Sequence, residues 1–577
     1  MDPKFYTSEG NFDLVGNNMP VFFIQDGIKF PDLVHAIKPE QDNEIPQATG
    51  AHDTFWDFVS LTPETTHMIM WLLSDRAIPR SYRMMQGFGV HSFRFIDKNG
   101  KSRFVKFHWT PVLGTHRLVW DETQKIAGKD PDFNRRDLWE AIEEGHYPEY
   151  ELGVQIVEEE NEHAFDFDLL DSTKIIPEDE VPLIPIGKMT LNRNPDNFHA
   201  ETEQVAFHVG NVVPGIDFTN DPLIQGRLFS YLDTQLIRLG GPNFAEIPIN
   251  RPVVEVHNNQ RGGFSRQKIN KGKGSYSPNS IRGGCPMTAP EKMGGYVHHA
   301  EKVEGYKIRE RSESFKDHFS QATLFWNSMS EVEKTHIVEA AHFELGKVES
   351  MEIKKRTVYE LFNNVDHQFA IRVAKGIGVE PPPEETIKNH GRRDSRLSLE
   401  NRTANTIKSR KVAILAENGY NHSQLTEVKK ALEKEEAAAV IISETSYNLK
   451  SADGNQEVEV DKAFVTTASV LFDAVFVPGG RESIEKLEKN GDARHFLNEA
   501  FRHCKPVAAL GEGVDLIRQA NFAGITITAP DAEEVLSHKG VVTASNPPEL
   551  RRFMDDFIHA IALHRHWDRE RKDEVPA

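Results

Sequence analysis

Arg227-Leu-Phe-Ser-Tyr-Leu-Asp-Thr-Gln235 is the stretch on which the reading of this 577-residue chain turns. Residues four apart stack on one face of a helix, so Arg227, Tyr231 and Gln235 align. A guanidinium one turn from a phenol stabilises negative charge on the phenol oxygen. Such an oxygen is a hard donor suited to ferric iron. Taken alone, an Arg-x-x-x-Tyr spacing equally describes an amphipathic helix with a tyrosine at the edge of its core. The surrounding chain decides between the two.

Bulk properties narrow the field first. A chain this long exceeds one hydrophobic core and predicts two or more domains. The formal charge of −20 repels nucleic acid and anionic membranes, so neither is expected as a partner. No apolar run is long enough to span a bilayer. Cys285 and Cys504 are too few for a disulfide framework and lack metal-site spacing, so any iron must be held by something other than thiolate. The first residues show no basic segment followed by an apolar core, and the last show no targeting address. The cytoplasm is the favoured compartment, with secretion left open.

Working outward from residue 227, strand signals dominate the N-terminal part. Val90–Phe95 and Phe104–Trp109 alternate around Asn99-Gly100, a hairpin with a primed turn. Val21–Ile24, Glu151–Ile156 and Leu183–Thr190 read as further strands. Residues 52–75 read as helix, with Thr62 and Pro63 as N-cap and first-turn proline. These elements predict an antiparallel sheet or barrel with helical insertions. Residues 241–312 lack periodicity and read as an arm wrapping over a neighbour or a second subunit. Helical periodicity returns over 313–380, and a polar linker opens at Pro381-Pro-Pro383 and runs to about 410. From 411 to 577, Val412–Leu415, Ala439–Ile442, Ala474–Val477 and Val507–Leu510 alternate with helices, the pattern of a doubly wound parallel sheet. The fold class is therefore α+β, an antiparallel sheet or barrel over 1–240 and, beyond the arm, helical segment and linker, an α/β domain.

In this context the string around Tyr231 resembles the proximal-haem signature of monofunctional haem catalases, the standard instance of tyrosine as a haem ligand. The last domain is similar to the flavodoxin-like, class I glutamine-amidotransferase-like domain of the large-subunit members. The resemblance implies Tyr231 as iron ligand, with Arg227 supporting its phenolate. It implies Asn17, in Gly10–Asn18, as the distal amide that holds peroxide, and Phe22 and Phe30 as the apolar wall. His208 falls behind the haem, at a position that in some large-subunit catalases bonds covalently to the ligand tyrosine. Haem, as protohaem or an oxidised derivative, is the implied cofactor and hydrogen peroxide the substrate. The reaction is dismutation to water and oxygen, protecting against oxidative stress, in a homotetramer. No NADPH site is predicted. In the last domain Gly511 stands where active amidotransferase-like enzymes carry a nucleophilic cysteine, so covalent catalysis from that position is not expected.

One departure matters. The family's distal histidine lies in a Val-His-Ala-Arg/Lys-Gly type of motif, and none of the 25 histidines here sits in one. The sequence therefore reads as an N-terminally truncated catalase whose barrel lacks its first strands and whose distal base is missing. A catalytically inactive haem-binding or structural homologue is the alternative.

Overall fold

The computed structural model describes residues 2–38, 42–43, 52–255, 260–276, 278–281, 295–306, 308, 310–547 and 550–577. These fall into two compact units. One comprises Met1–Ala77, Met85–Pro111 and Glu149–Asn401, the other Ile78–Met84, Val112–Pro148 and Arg402–Ala577.

The first unit opens with a hairpin, β1 (Lys4–Thr7) and β2 (Gly10–Asp13). Its main sheet is antiparallel and contains β3 (Gly87–Phe88), β4 (Phe93–Ile96), β5 (Ser102–Pro111), β6 (Glu149–Glu158), β7 (Ile184–Thr190) and β8 (Ile216–Asp217). The order is β7-β6-β5-β4-β8, with β3 also paired to β5. Alternation on β5 explains the packing. Val105, Phe107 and Trp109 face a core shared with Phe12, Phe93, Tyr150, Val154 and Ile224, while Phe104 joins Val157, Phe167, Leu169 and Ile176 on the other face. Asn99-Gly100 makes the turn between β4 and β5, with Gly100 at φ +79° and Asp97 accepting from the backbone of Asn99 and Lys101.

Three local readings change. Val90–Ser92 is not strand: Val90 sits at φ +66° and the His91 N–H donates to the Gly89 carbonyl at 2.8 Å, a three-residue turn before β4 begins. Val21–Ile24 is irregular, because Phe22 N–H donates to the Ser172 carbonyl and the Ser172 hydroxyl returns to the Ile24 carbonyl. These bonds tie the segment to a loop instead of a strand partner. The 52–75 region breaks into helices His52–Leu61 and Thr66–Leu73. Pro63 lacks the N–H that would continue the first helix, and Thr62 makes no side-chain cap. The helical segment contains Ser320–Ser328, Glu331–Gly346 and His367–Ile377. Ser330 and Glu333 form a capping box, and Gly378 ends the last helix in the left-handed conformation.

The second unit is a seven-stranded sheet with a two-stranded flap. Its strands are β9 (Lys411–Leu415), β10 (Ala438–Ser443), β13 (Lys462–Ala463), β14 (Ala474–Val477), β15 (Val507–Leu510), β16 (Leu536–His538) and β17 (Val541–Ala544); β11 (Leu449–Lys450) and β12 (Glu457–Val458) make the flap. The order β13-β10-β9-β14-β15-β17-β16 contains the 2-1-3-4-5 arrangement of flavodoxin-like sheets. Only β16 runs antiparallel in this sheet. Residues 112–148, which separate β5 from β6 in sequence, belong to this unit: Leu118, Ile126 and Phe133 pack with Val470. Cys504 is buried, and burial pushes its thiol pKa up. Cys285, Asn258, Asn259 and Pro548 lie outside the described residues. Among the described residues no helix is long and apolar enough to cross a membrane.

Candidate functional site

The stretch around Tyr231 is helical from Pro222 to Arg238. Its start is set by Asp221, whose carboxylate accepts from the N–H groups of Leu223 at 2.8 Å and Ile224 at 3.2 Å, followed by a proline at the first helical position. One face of the helix buries Leu223 and Ile224 in the first unit. Gln235 is also buried and donates to the Phe207 carbonyl at 2.9 Å. A close crossing fixes the other end of the contact. An ideal Cβ on Gly226 would lie 3.3 Å from the Gly27 Cα, tighter than an ordinary contact.

Between this helix and residues 17–31 lies a cavity of about 400 Å³, within the size range of cofactor sites. It is lined by Asn17, Phe22, Phe30, Pro31, Val90, His91, Leu223, Arg227, Ser230 and Tyr231, with Gly27 and Gly226. Five of the six residues singled out by the sequence therefore meet here. Arg227 Nη2 donates to the Tyr231 hydroxyl oxygen at 2.6 Å, and its guanidinium carbon lies 4.9 Å from the Tyr231 ring centroid. A charge-assisted bond of this kind favours negative charge on the oxygen that receives it. Phe22 stacks on Phe30 with centroids 6.5 Å apart. Asn17 is fixed by its backbone, which exchanges two 2.8 Å hydrogen bonds with Phe88. Among the described residues its exposed side-chain amide has no hydrogen-bond partner.

The sixth residue lies elsewhere. His208 is half-buried on the far side of Tyr231, ring centroids 6.5 Å apart, and its Nδ1 accepts from the Gly210 N–H at 2.8 Å. It lines a second cavity of about 270 Å³ with Lys4, Asn211, Leu232 and Asn250. Burial lowers its pKa, Asp13 opposing and Lys4 adding to the shift.

Two residues that the sequence reading did not assign to the site complete its helix side. His91 Nδ1 lies 2.5 Å from Asp221 Oδ2, both side chains fully buried. Burial lowers the His91 pKa, Asp221 opposes, and the charge of Arg227 lowers it further. A neutral His91 whose Nδ1–H donates to Asp221 leaves Nε2 as a lone pair in a cavity wall shared with Arg227. Two pairs, Asp221 with His91 and Arg227 with Tyr231, thus stand along this side of the cavity. Asn220-Asp221-Pro222 carries the local signal of a helix start. Nothing near His91 announces a partner 130 residues away.

The donor set suits haem iron. One phenol oxygen, held by a guanidinium, faces a mostly apolar cavity, and the distal wall offers a free amide. Tyr231 would hold the metal, with Phe22, Phe30, Val90 and Leu223 against the macrocycle.

The crevice at the C-terminal ends of β9 and β14, where doubly wound sheets place ligands, is filled by the chain itself. The Gly479 N–H donates to Gln424 Oε1 at 2.7 Å and the Gly480 N–H to Glu512 Oε2 at 2.9 Å. A Cβ on Gly480 would fall 2.3 Å from the Gly419 carbonyl oxygen. Gly511 occupies the turn after β15 at φ +56°, without a side chain to react. Among the described residues no group of histidine, cysteine and carboxylate side chains is arranged to hold a metal.

Three family models match the chain. A catalase family model matches residues 2–283, a model described as catalase-related immune-responsive matches 312–377, and the C-terminal domain found in long catalases matches 408–571. The chain is 58% identical over 566 residues to Catalase-2 of Bacillus subtilis (strain 168), covering 98% of this chain and 80% of that protein. It is 56% identical over 578 residues to Catalase HPII of Mycobacterium avium, covering 100% of this chain and 81% of that protein. It is 48% identical over 581 residues to Catalase-B of Dictyostelium discoideum, covering 100% and 82%.

Proposed function

The chain belongs to the catalase family, with the C-terminal domain of its long members, and we propose that Tyr231 is the iron ligand at which it carries out the family's dismutation of hydrogen peroxide. The observation that carries this assignment is the Tyr231 oxygen, bonded to Arg227 and lining the 400 Å³ cavity opposite Asn17. The family's cofactor is haem; protohaem or an oxidised derivative would meet the phenol in the same way.

When bound, haem supplies the electron store through which one peroxide is reduced to water while a second is oxidised to oxygen. The residues of this chain divide the remaining work. Arg227 donates to the Tyr231 oxygen and would support it as a phenolate ligand, while Asp221 caps the helix that carries both residues and holds His91 in the cavity wall. Asn17 donates its amide N–H to a peroxide oxygen, a positioning role. Phe22 and Phe30 keep bulk water and larger reductants away from the reacting oxygens. Moving a proton from one peroxide oxygen to the other requires a base. His91 is the one histidine among the cavity-lining residues; its Nδ1 faces Asp221, and burial lowers its pKa. The proton step is where a low-activity haem-binding homologue would differ from a full catalase.

Oxygen evolution by the purified, haem-loaded chain separates the two. Turnover far above that of free haem is expected. Haem binding with turnover at the free-haem level would leave only the binding role. Asn17→Ala should lower turnover on the order of 10²-fold, the typical loss when one preorganised donor is removed, while leaving the haem spectrum unchanged.

We further propose a homotetramer. Phe229, Ile237, Val253, Phe264 and Ile269 are all more than 70% exposed along the ligand helix and the arm that follows it, the kind of apolar side chains that subunit contacts cover.

A further inference from the structure

Two strands pair with the same stretch of β5, and the chain between them is too long for the space. Phe88 of β3 stands opposite His108, and Phe93 of β4 stands opposite Val105. Five steps of chain therefore oppose three on β5, an irregularity of the bulge class, which bends a strand and re-aims its side chains. The excess is taken up at Val90. Its φ of +66° and the 2.8 Å bond from the His91 N–H to the Gly89 carbonyl make a γ-turn of the strained hand. Val90 and His91 both line the cavity beside the ligand helix.

A β-branched residue takes a positive φ against its own sterics, and only over-determined surroundings keep it there. Here the neighbours on both sides are pinned. Phe88 exchanges two 2.8 Å backbone bonds with Asn17. The Gly89 N–H donates to the Phe107 carbonyl at 2.9 Å, and a Cβ at Gly89 would fall 3.3 Å from Leu14 Cδ1. On the far side His91 Nδ1 faces Asp221. The Ser92 hydroxyl donates to the Leu169 carbonyl at 2.6 Å, and the Ser92 carbonyl accepts from the Thr219 hydroxyl at 2.7 Å. Val90 is buried and spans these two sets of anchors. One set holds Asn17 in the cavity wall, and the other reaches the cap of the ligand helix.

We propose that Val90 is a positioning residue for haem, whose strained turn sets the spacing between the Asn17 wall and the ligand helix. The proposal rests on this cavity being the haem site. Glycine at this position would relax the turn and let the excess residues settle elsewhere, because glycine takes either sign of φ. Alanine would lose the branched side chain but keep a Cβ, and with it the cost of a positive φ.

The test compares Val90→Gly with Val90→Ala, first without haem and then with it. Both remove the branched side chain, so their difference reports the backbone. In an ordinary strand glycine melts below alanine. Here the first unit of Val90→Gly should melt about 2–4 °C above that of Val90→Ala, the shift that relief of such strain gives a large domain. Haem release to an apoglobin acceptor should run in the opposite order. Val90→Gly should release on the order of tenfold faster than Val90→Ala, because a loosened wall must be ordered at each binding. A merely structural residue would move stability and haem retention together. Glycine melting below alanine overturns the proposal, and so does release from Val90→Gly that is no faster than from Val90→Ala. Hydrogen exchange of residues 85–93 in wild type decides even if a variant fails to fold. Equal protection with and without haem supports a preformed turn; protection that appears only with haem overturns it. If wild type takes up no haem, the reading of the site fails and takes the proposal with it. If haem is taken up but the two orders coincide, only the Val90 proposal fails.

Discussion

Replacing Asp473 by alanine should destabilise the second unit by about 3–5 kcal/mol, the usual cost of stranding the partners of a buried ion pair. Asp473 is fully buried at the start of β14 and accepts two bonds from Arg80, Nε at 2.7 Å and Nη2 at 2.9 Å. Arg410 lies 3.5 Å away, and the Lys411 N–H also donates to the carboxylate. Without Asp473, two buried guanidinium groups lose their counter-charge. Nearby, Arg83 pairs with Asp137, and Arg565 and Lys505 share Glu122, so no spare carboxylate can substitute. A melting curve followed by circular dichroism should show the transition of this unit lowered by roughly 10 °C. An unchanged midpoint would mean that water already satisfies these arginines.

The same carboxylates set the acid limit. Burial opposes ionisation of Asp473, but Arg80 and Arg410 outweigh it and hold its pKa well below the usual carboxylate range. Burial likewise opposes Glu122, and Arg565 and Lys505 bring it to about 2. A carboxyl whose folded pKa is depressed binds fewer protons folded than unfolded. Its stabilisation is present above the unfolded pKa and lost as pH falls through the folded value. Stability of the second unit should therefore fall steeply below about pH 4, and Glu122→Gln should flatten that slope.

The second large effect is at the iron. Tyr231→Phe removes the phenol oxygen and leaves the ring, so the cavity keeps its apolar wall while losing its one hard donor. Loss even of an outer partner of a metal ligand costs roughly 10–100-fold, and loss of the ligand itself should exceed this, bringing peroxide turnover to the level of free haem. Arg227→Leu should fall between that variant and wild type, because the ligand remains but its hydrogen bond is gone. Oxygen-electrode rates at matched haem content measure both.

The legible parts of this protein are those whose signal is local. The β5 alternation, the Asn99-Gly100 turn and the strand–helix rhythm after residue 411 depend on neighbours in sequence, and they appear where expected, although the turn is not the primed type, because Gly100 takes a positive φ and Asn99 does not. The Arg227–Tyr231 pair was legible for the same reason, since a helix places residues four apart in contact. The parts missed depend on distant partners. Val90 leaves the strand it was assigned to because the chain turns there into the cavity wall. Val21–Ile24 looks like a strand, yet its hydrogen bonds go to Ser172. His91 gains its meaning from Asp221, and Arg80 from Asp473. Residues 112–148 lie between two barrel strands in sequence but pack with the C-terminal sheet, which no composition shift announces.

The most direct test of the central claim is the resonance Raman spectrum of the haem-loaded chain. Tyrosine ligation predicts enhanced iron–phenolate bands in wild type that disappear in Tyr231→Phe. A spectrum of nitrogen ligation, unchanged by that substitution, would contradict it.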